Sequence, residues 1–243
     1  MRRKRNKTDE AGLLVLCALL CIWICAIILP VKSESIPVEA RTVQGPLPVL
    51  IIDPGHGGLD GGATTADRIP ESRFNLEIAG RLRDVASFLG ISTYMTREGE
   101  TLSYPEELKT IAACKRWDTR RRVEEINSIG NGVLMSIHQN AFPSSAPRGA
   151  QVIHAPDGES RRFGEATQAM LTEKLLPDNR RVAEPASRDL YLLQHVRCPA
   201  ILVECGFLSH PEEAARLAEE GYQIRLSAIL AVSFLQFTED VST

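Results

Sequence analysis

The sequence lacks the regular cysteine spacing of a small domain held together by disulfides. It contains six cysteines, and three of them lie within residues 11–29. The other three, Cys114, Cys198 and Cys205, are odd in number and irregularly spaced. Such a set does not build a disulfide framework, so the fold must depend on a hydrophobic core. With 243 residues, of which 44% are apolar, the chain is large enough to bury one.

An excess of positive charge is also missing after the N-terminus. Residues 1–10 carry a net charge of +3, whereas the whole chain carries −3, so the remainder carries −6. An acidic domain repels the phosphate backbone of nucleic acids. We therefore exclude nucleic acid as a partner.

One long uncharged run follows the basic N-terminus. Residues 11–29 contain no charged side chain, and a helix needs about 20 such residues to span a bilayer. The basic residues before the run predict that the rest of the chain is exported. A cleaved signal peptide is the alternative, although no good cleavage site follows. We expect a basic cytoplasmic tail (1–10), a membrane anchor or signal segment (11–29), a linker (30–46) and an extracytoplasmic domain (47–239), which is secreted if the segment is cleaved.

Short apolar runs alternate with helical patterns through residues 47–239. Strands are predicted at 49–53, 91–95, 133–138, 150–154, 190–193 and 200–204, and helices at 71–89, 118–128, 160–175 and 211–237, the last with a break near Gly221. This alternation predicts an α/β fold with a mixed, mostly parallel six-stranded sheet flanked by helices. Residues 98–113 fit neither pattern and are expected to form an irregular rim around a site.

Three of the apolar runs lead into residues that can bind a metal or carry a proton. The sequence reads PVLIIDPGH to His56, GVLMSIH to His138 and AILVE to Glu204. Ligands of open α/β sheets collect beyond the carboxyl ends of the strands, so we expect these side chains to meet. The glycine-rich segment around His56 lacks both G-x-G-x-x-G and a GK[ST] ending. It is therefore expected to give a metal room rather than to cradle a phosphate.

Two histidines and one carboxylate form a common catalytic zinc set that leaves a fourth position for water. Glu71, where a helix is predicted to begin, can complete the set, but by itself it is better explained by the helix dipole. Glu204 follows four apolar residues and must face a metal, a cation or a polar cleft. A buried salt bridge to Arg188 or Arg197 is the alternative for Glu204.

Four motifs together resemble one enzyme family. The motifs are IIDPGHGGLDGGA, Glu71-x-x-x-Asn75, SIHQNA and PAILVECGFLSHPEE, spread over residues 49–237. In this order they resemble the zinc-dependent N-acetylmuramoyl-L-alanine amidases, which have a phosphorylase/hydrolase-like fold and act on peptidoglycan. The resemblance implies that His56, Glu71 and His138 bind one catalytic Zn²⁺ and that Glu204 is the catalytic acid and base. The chain departs from the family at His210, where asparagine is usual.

The short chain, its N-terminal apolar segment and the lack of a wall-binding repeat are most similar to the germination-specific subgroup. The resemblance implies a role in spore cortex maturation, where removing peptides lets muramic-δ-lactam form. A vegetative cell-separation amidase, a zinc peptidase of the cell wall and an inactive wall-binding scaffold are the alternatives. Without a targeting module, a partner or activator protein is expected. Asn140 and Arg188 are candidates for substrate binding, although a turn residue and a solvated surface arginine describe them as well.

Overall fold

The structure is a computed structural model that describes residues 47–241. The predicted tail, membrane segment and linker all lie outside the described residues. Within residues 47–241, no helix has the length and apolarity needed to cross a membrane.

Six strands form one mixed sheet in the order β2-β1-β3-β6-β4-β5. Strands β2, β1, β3 and β6 run parallel, while β4 pairs antiparallel with β6 and parallel with β5. The expected mostly parallel six-stranded sheet is therefore confirmed. The strands are β1 (Val49–Pro54), β2 (Thr93–Met95), β3 (Gly132–Asn140), β4 (Gln151–His154), β5 (Glu184–Pro185) and β6 (Ala200–Phe207).

Helices cover both faces of the sheet, as expected. They are α1 (Glu71–Phe88), α2 (Ile111–Ser128), α3 (Gly158–Met170), α4 (Tyr191–His195), α5 (Pro211–Leu217) and α6 (Glu220–Val241). A π-helical turn, Leu171–Leu175, continues α3. Alternate strand residues feed two buried clusters, because successive side chains of a strand point to opposite faces. Leu50 and Ile52 pack with residues of α1, α3 and α6, whereas Ile51 packs with residues of α2 and α4.

Two of the predicted elements are wrong or displaced. Residues 190–193, predicted as a strand, lie largely in helix α4, and the fifth strand is instead Glu184–Pro185. An edge strand of two residues that includes a proline has no alternating pattern, so it could not be predicted from the sequence. Helix α2 begins at Ile111, earlier than predicted, because the Thr110 side chain caps it by accepting a hydrogen bond from Ala113 N at 3.2 Å. The break in the C-terminal helical pattern is confirmed between α5 and α6.

Candidate active site

The carboxyl ends of β1, β3 and β6 meet at one edge of the sheet and carry three of the four predicted residues. His56 follows β1 in a glycine-rich loop, which we define as residues 55–62, and His138 and Glu204 are partners in the pairing of β3 with β6. Glu71 is the first residue of α1. Backbone hydrogen bonds to the end of the loop hold Glu71 at the site, since Glu71 N donates to Ala63 O at 2.8 Å and Ser72 N donates to Gly61 O at 3.1 Å.

His56, Glu71 and His138 converge as the sequence predicts. His56 Nε2 lies 3.2 Å from Glu71 Oε2, and His138 Nδ1 lies 3.0 Å from Glu71 Oε1. One potential ligand atom from each residue lies within 4.8 Å of the other two. Among residues 47–239 this is the only cluster of three or more such side chains with that spacing. Two imidazoles and a carboxylate at this separation fit a divalent metal ion.

Two glycines leave the space that this cluster occupies. A Cβ added at Gly55 would overlap the imidazole of His138, and a Cβ at Gly62 would crowd Oε2 of Glu71 and the His56 ring. Gly62 also has a φ of 70°, which favours glycine. These glycines therefore leave room for the side chains of the cluster, and the expected role of the segment beside a metal stays a prediction.

Asp60 holds His56 through the ring nitrogen that does not face Glu71. Its Oδ2 atom lies 2.8 Å from His56 Nδ1 and also 3.0 Å from Lys115 Nζ. Burial disfavours the imidazolium, but the hydrogen bonds with Asp60 and Glu71 outweigh burial and raise the pKa of His56 to about 9. A carboxylate behind a histidine is the usual support of a metal ligand, because it fixes which ring nitrogen faces the metal.

Glu71 is held by hydrogen bonds that keep it ionised. Its Oε2 accepts from Ala63 N at 3.0 Å, and its Oε1 accepts from Gln139 N at 3.1 Å and from Asn75 Nδ2 at 3.2 Å. Burial raises the pKa of this carboxyl, but the adjacent imidazoles of His138 and His56 more than reverse that effect and hold the pKa far below its usual range. Glu71 is therefore an anion aimed into the cluster rather than only a partner of the helix dipole.

Glu204 lies beside the cluster without a partner of its own. Its Oε2 atom is buried and has no hydrogen-bond partner among the residues that the structure describes. Neither Arg188 nor Arg197 forms an ion pair with it, because both arginines are exposed whereas the Glu204 carboxyl is buried. Burial raises the pKa of Glu204 to about 7, with the nearby Glu71 adding to the rise and His138 opposing it. A carboxyl with this pKa can both accept and donate a proton near neutral pH.

Two buried arginines position the backbone on which His56 stands. Arg122 forms an ion pair with Asp53 at 2.9 Å and donates to the carbonyls of Pro54 and His56 at 2.8 and 2.6 Å. Arg97 donates to the carbonyls of Pro54 and Gly55 at 2.9 and 3.0 Å. Burial raises the pKa of Asp53, but Arg122 and two hydroxyl donors outweigh it and lower that pKa to about 2.

Sequence reasoning missed these arginines and the supports of Glu71. Arg97 and Arg122 occur in segments with no motif, and Arg122 lies 69 residues from its partner Asp53. Asn75 and Asp60 lie within the family motifs, close in sequence to the predicted ligands Glu71 and His56. This proximity was the one signal that could have indicated their supporting role. Gln139 likewise follows His138 directly.

The other candidates have simpler surroundings. Asn140 ends β3, and its carbonyl accepts from Leu208 N at 2.8 Å, so its proposed contact with substrate stays a prediction. Arg188 is exposed in the turn after β5, and its role also stays a prediction. Cys205 is fully buried in the core, and among the described residues Cys114, Cys198 and Cys205 are free cysteines.

The expected rim is attached to the glycine-rich loop. Of the expected rim, residues 111–113 belong to α2, whereas residues 98–110 contain no helix or strand. Within them, Glu100 O accepts from Gly58 N at 2.8 Å, and the Tyr104 hydroxyl lies 3.3 Å from both Leu59 N and Gly57 O. The rim therefore packs against the loop that carries His56.

Comparison with known proteins identifies the family of the chain. Residues 50–233 match a family model described as N-acetylmuramoyl-L-alanine amidase. The germination-specific N-acetylmuramoyl-L-alanine amidase of Bacillus subtilis is 36% identical over 210 residues, which cover 86% of this chain and 84% of that protein. LytC, an N-acetylmuramoyl-L-alanine amidase of the same organism, is 27% identical over 72% of this chain and 32% of its own length.

A solved structure supports the same assignment. The CwlD amidase of Clostridioides difficile, determined in complex with the GerS lipoprotein, has a TM-score of 0.75 and 32% sequence identity to this chain. The similarity covers 78% of this chain and 98% of that one. Sequence, fold and the converging side chains thus lead to one conclusion: the chain belongs to the N-acetylmuramoyl-L-alanine amidase family.

Proposed function

We propose that the chain is a zinc-dependent amidase that hydrolyses the bond between the lactyl carbonyl of N-acetylmuramic acid and the nitrogen of L-alanine in peptidoglycan. The observation that carries this proposal is the convergence of His56, Glu71 and His138 beside the unpartnered carboxyl of Glu204. Three potential ligand side chains beside one unpartnered acid are the arrangement that metal-assisted amide hydrolysis requires.

The residues present fit zinc. Two neutral imidazoles and one carboxylate are a standard catalytic donor set, Asp60 supports one imidazole, and Gly55 and Gly62 leave the space that the three side chains occupy. When bound there, zinc supplies a Lewis acid that polarises the amide carbonyl and increases the acidity of water.

Glu204 carries the proton. Its carboxylate takes a proton from the attacking water as the new C–O bond forms, and it gives that proton to the alanine nitrogen as the C–N bond breaks. The products are a muramic acid carboxyl and a peptide with a free amino terminus. The pKa of about 7, raised by burial, suits a group that must perform both transfers in one turnover.

The setting is proposed from the relatives. The similarity to a germination-specific amidase of Bacillus subtilis supports a role in spore cortex rather than in vegetative cell separation. The GerS lipoprotein bound to the CwlD amidase supports a partner protein for this chain as well. We further propose that the chain acts outside the cytoplasm, held by the apolar residues 11–29 or released by their cleavage.

Digestion of purified peptidoglycan by the zinc-loaded full-length chain tests the proposal. We expect free L-alanine amino termini to appear, and we expect Glu204→Gln or Glu204→Ala to lower the rate by about 10²- to 10⁴-fold while zinc content stays unchanged. Release of terminal amino acids instead would indicate a zinc peptidase. Equal rates for wild type and both variants would refute the role of Glu204, and a chain that binds no zinc would favour a wall-binding scaffold.

A further inference from the structure

The guanidinium of Arg181 is fixed by neutral partners only. Its Nε donates to Arg148 O at 2.9 Å, and its Nη1 donates to Gln151 Oε1 at 2.7 Å. Its central carbon lies 4.6 Å from the centroid of the Phe207 ring. These contacts orient the planar group in the folded protein, so a ligand need not pay for ordering it.

The charge of Arg181 has no counter-ion in the part of the chain that the structure describes. Every hydrogen bond of its guanidinium goes to a carbonyl or an amide oxygen, and Nη2 donates to no described residue. Arg122, by contrast, is paired with the carboxylates of Asp53 and Asp118. A guanidinium that is oriented, uncompensated and still has free N–H groups is suited to bind a carboxylate.

Arg181 lies beside Glu204. Gln151, which holds Nη1, is the partner of Glu204 in the antiparallel pairing of β4 with β6, so the two side chains share one face of the sheet. Because β4 runs opposite to β6, it begins at the edge where β6 ends, and Phe207 is the last residue of β6. The guanidinium is also close enough to act on the charge of Glu204.

We propose that Arg181 binds a carboxylate of the stem peptide, on the side of the scissile amide that leaves as the amine. The inference rests on the proposed function, in which Glu204 delivers a proton to the alanine nitrogen. The stem peptide begins at this nitrogen, which Glu204 must approach, and the guanidinium of Arg181 lies beside Glu204. A stem peptide that is not cross-linked through its C-terminus ends in a carboxylate, whereas the sugar on the other side of the amide is neutral. Arg181 would thus fix both the direction of the substrate and the preference for an acidic peptide.

The test compares one muramoyl peptide in two forms, with its carboxylates free and with them converted to carboxamides. For the zinc-loaded full-length chain we expect KM to be about 10- to 100-fold lower for the carboxylate form, the value of one charge-assisted hydrogen-bonded pair, with little change in kcat. Arg181→Gln should remove this preference. Arg181→Lys should keep part of it, because the charge remains without the guanidinium fork.

Arg180→Gln is the matched control, since Arg180 is the adjacent arginine, is exposed and makes no hydrogen bond to a described residue. It should retain the preference of the wild type. Equal KM values for the two peptides with the wild type, or equal effects of the two glutamine variants, would overturn the inference. Binding of both peptides is also measured by calorimetry in the Glu204→Gln background, where no turnover is needed. Failure of cleavage then counts against the proposed function, while equal binding of the two peptides counts against Arg181.

Discussion

Replacing Asp60 with asparagine tests how the glycine-rich loop prepares His56 for a metal. Asp60 Oδ2 lies 2.8 Å from His56 Nδ1, while the other ring nitrogen of His56 faces Glu71 at 3.2 Å. The carboxylate fixes the ring and makes the ligating nitrogen more basic, and loss of such a support weakens metal binding by about 10- to 100-fold. Asparagine preserves the size of the side chain, so we expect a loss in this range once His56 is deprotonated in both proteins.

The pKa of His56 makes the measured loss depend on pH. Despite burial, hydrogen bonds with Asp60 and Glu71 raise this pKa to about 9 in the metal-free site, so zinc must displace a proton at lower pH. Two pH units below the pKa, proton competition weakens the apparent affinity of the wild type by about 100-fold. Without the Asp60 charge the pKa falls and the competition weakens. The affinity difference between the two proteins should therefore be largest above pH 9 and should shrink toward about pH 7.

Competition for zinc between the purified full-length chain and a colorimetric chelator, over this pH range, measures the effect. Lys115→Met is the matched control, because Lys115 touches Asp60 at 3.0 Å but is 53% exposed. An exposed pair contributes about 0–1 kcal/mol, so the affinity of this control should change by less than about fivefold. A difference between wild type and Asp60→Asn that stays constant with pH, or that vanishes at the alkaline end, would refute the reasoning.

Three further predictions concern the framework of the site. First, the raised pKa of His56 stabilises the metal-free fold fully below about pH 6.5, and the stability is lost as pH rises through about 9, which urea unfolding of the chelator-treated protein measures. Second, Arg122→Met leaves the buried Asp53 carboxylate without its cation and should lower the free energy of unfolding by about 3–5 kcal/mol. The control Arg121→Met removes a partly exposed arginine and should lower it by less than about 1 kcal/mol. Equal midpoints of the two variants in denaturant melts would contradict this prediction. Third, Gly55→Ala places a methyl group where the His138 ring lies and should abolish zinc binding. The control Gly80→Ala lies in α1 with open space around it and should raise the free energy of unfolding by about 0.5–1 kcal/mol. A Gly55→Ala protein with wild-type zinc content would show that the ring has room to move.

The sequence predicts the proposed metal ligands and Glu204 better than it predicts the residues that support them. His56, His138 and Glu204 end apolar runs, and the carboxyl ends of parallel strands meet whatever the loops do, so their approach follows from the strand pattern. Glu71 is different, because it reaches the cluster only through the path of the loop from β1 to α1. For this residue the family motif carried information that periodicity does not contain.

The parts that could not be predicted share a physical cause. Strand β5 has two residues and is defined only by its pairing with β4. The contacts of Arg122 with Asp53, and of Arg181 with Gln151, join segments 69 and 30 residues apart. No local pattern distinguishes an arginine that will be buried against a distant carboxylate from one that stays in water. Hydrophobic periodicity reports which face of an element is covered, but it does not report which polar groups meet there.

The two buried arginines behind the proposed metal site act through geometry rather than through their charge. Placing cations behind the proposed ligands of a metal cation is electrostatically unfavourable, and of the two arginines only Arg122 forms ion pairs, with Asp53 and Asp118. Arg97 has no ionic partner among residues 47–239, and burial lowers its pKa to about 10. What the pair provides is geometry: it fixes the carbonyls of Pro54, Gly55 and His56, and His56 itself is held at a φ of 60°, which a free chain rarely adopts. Contacts within the protein therefore hold the loop in place, and they keep His56 in its strained backbone conformation.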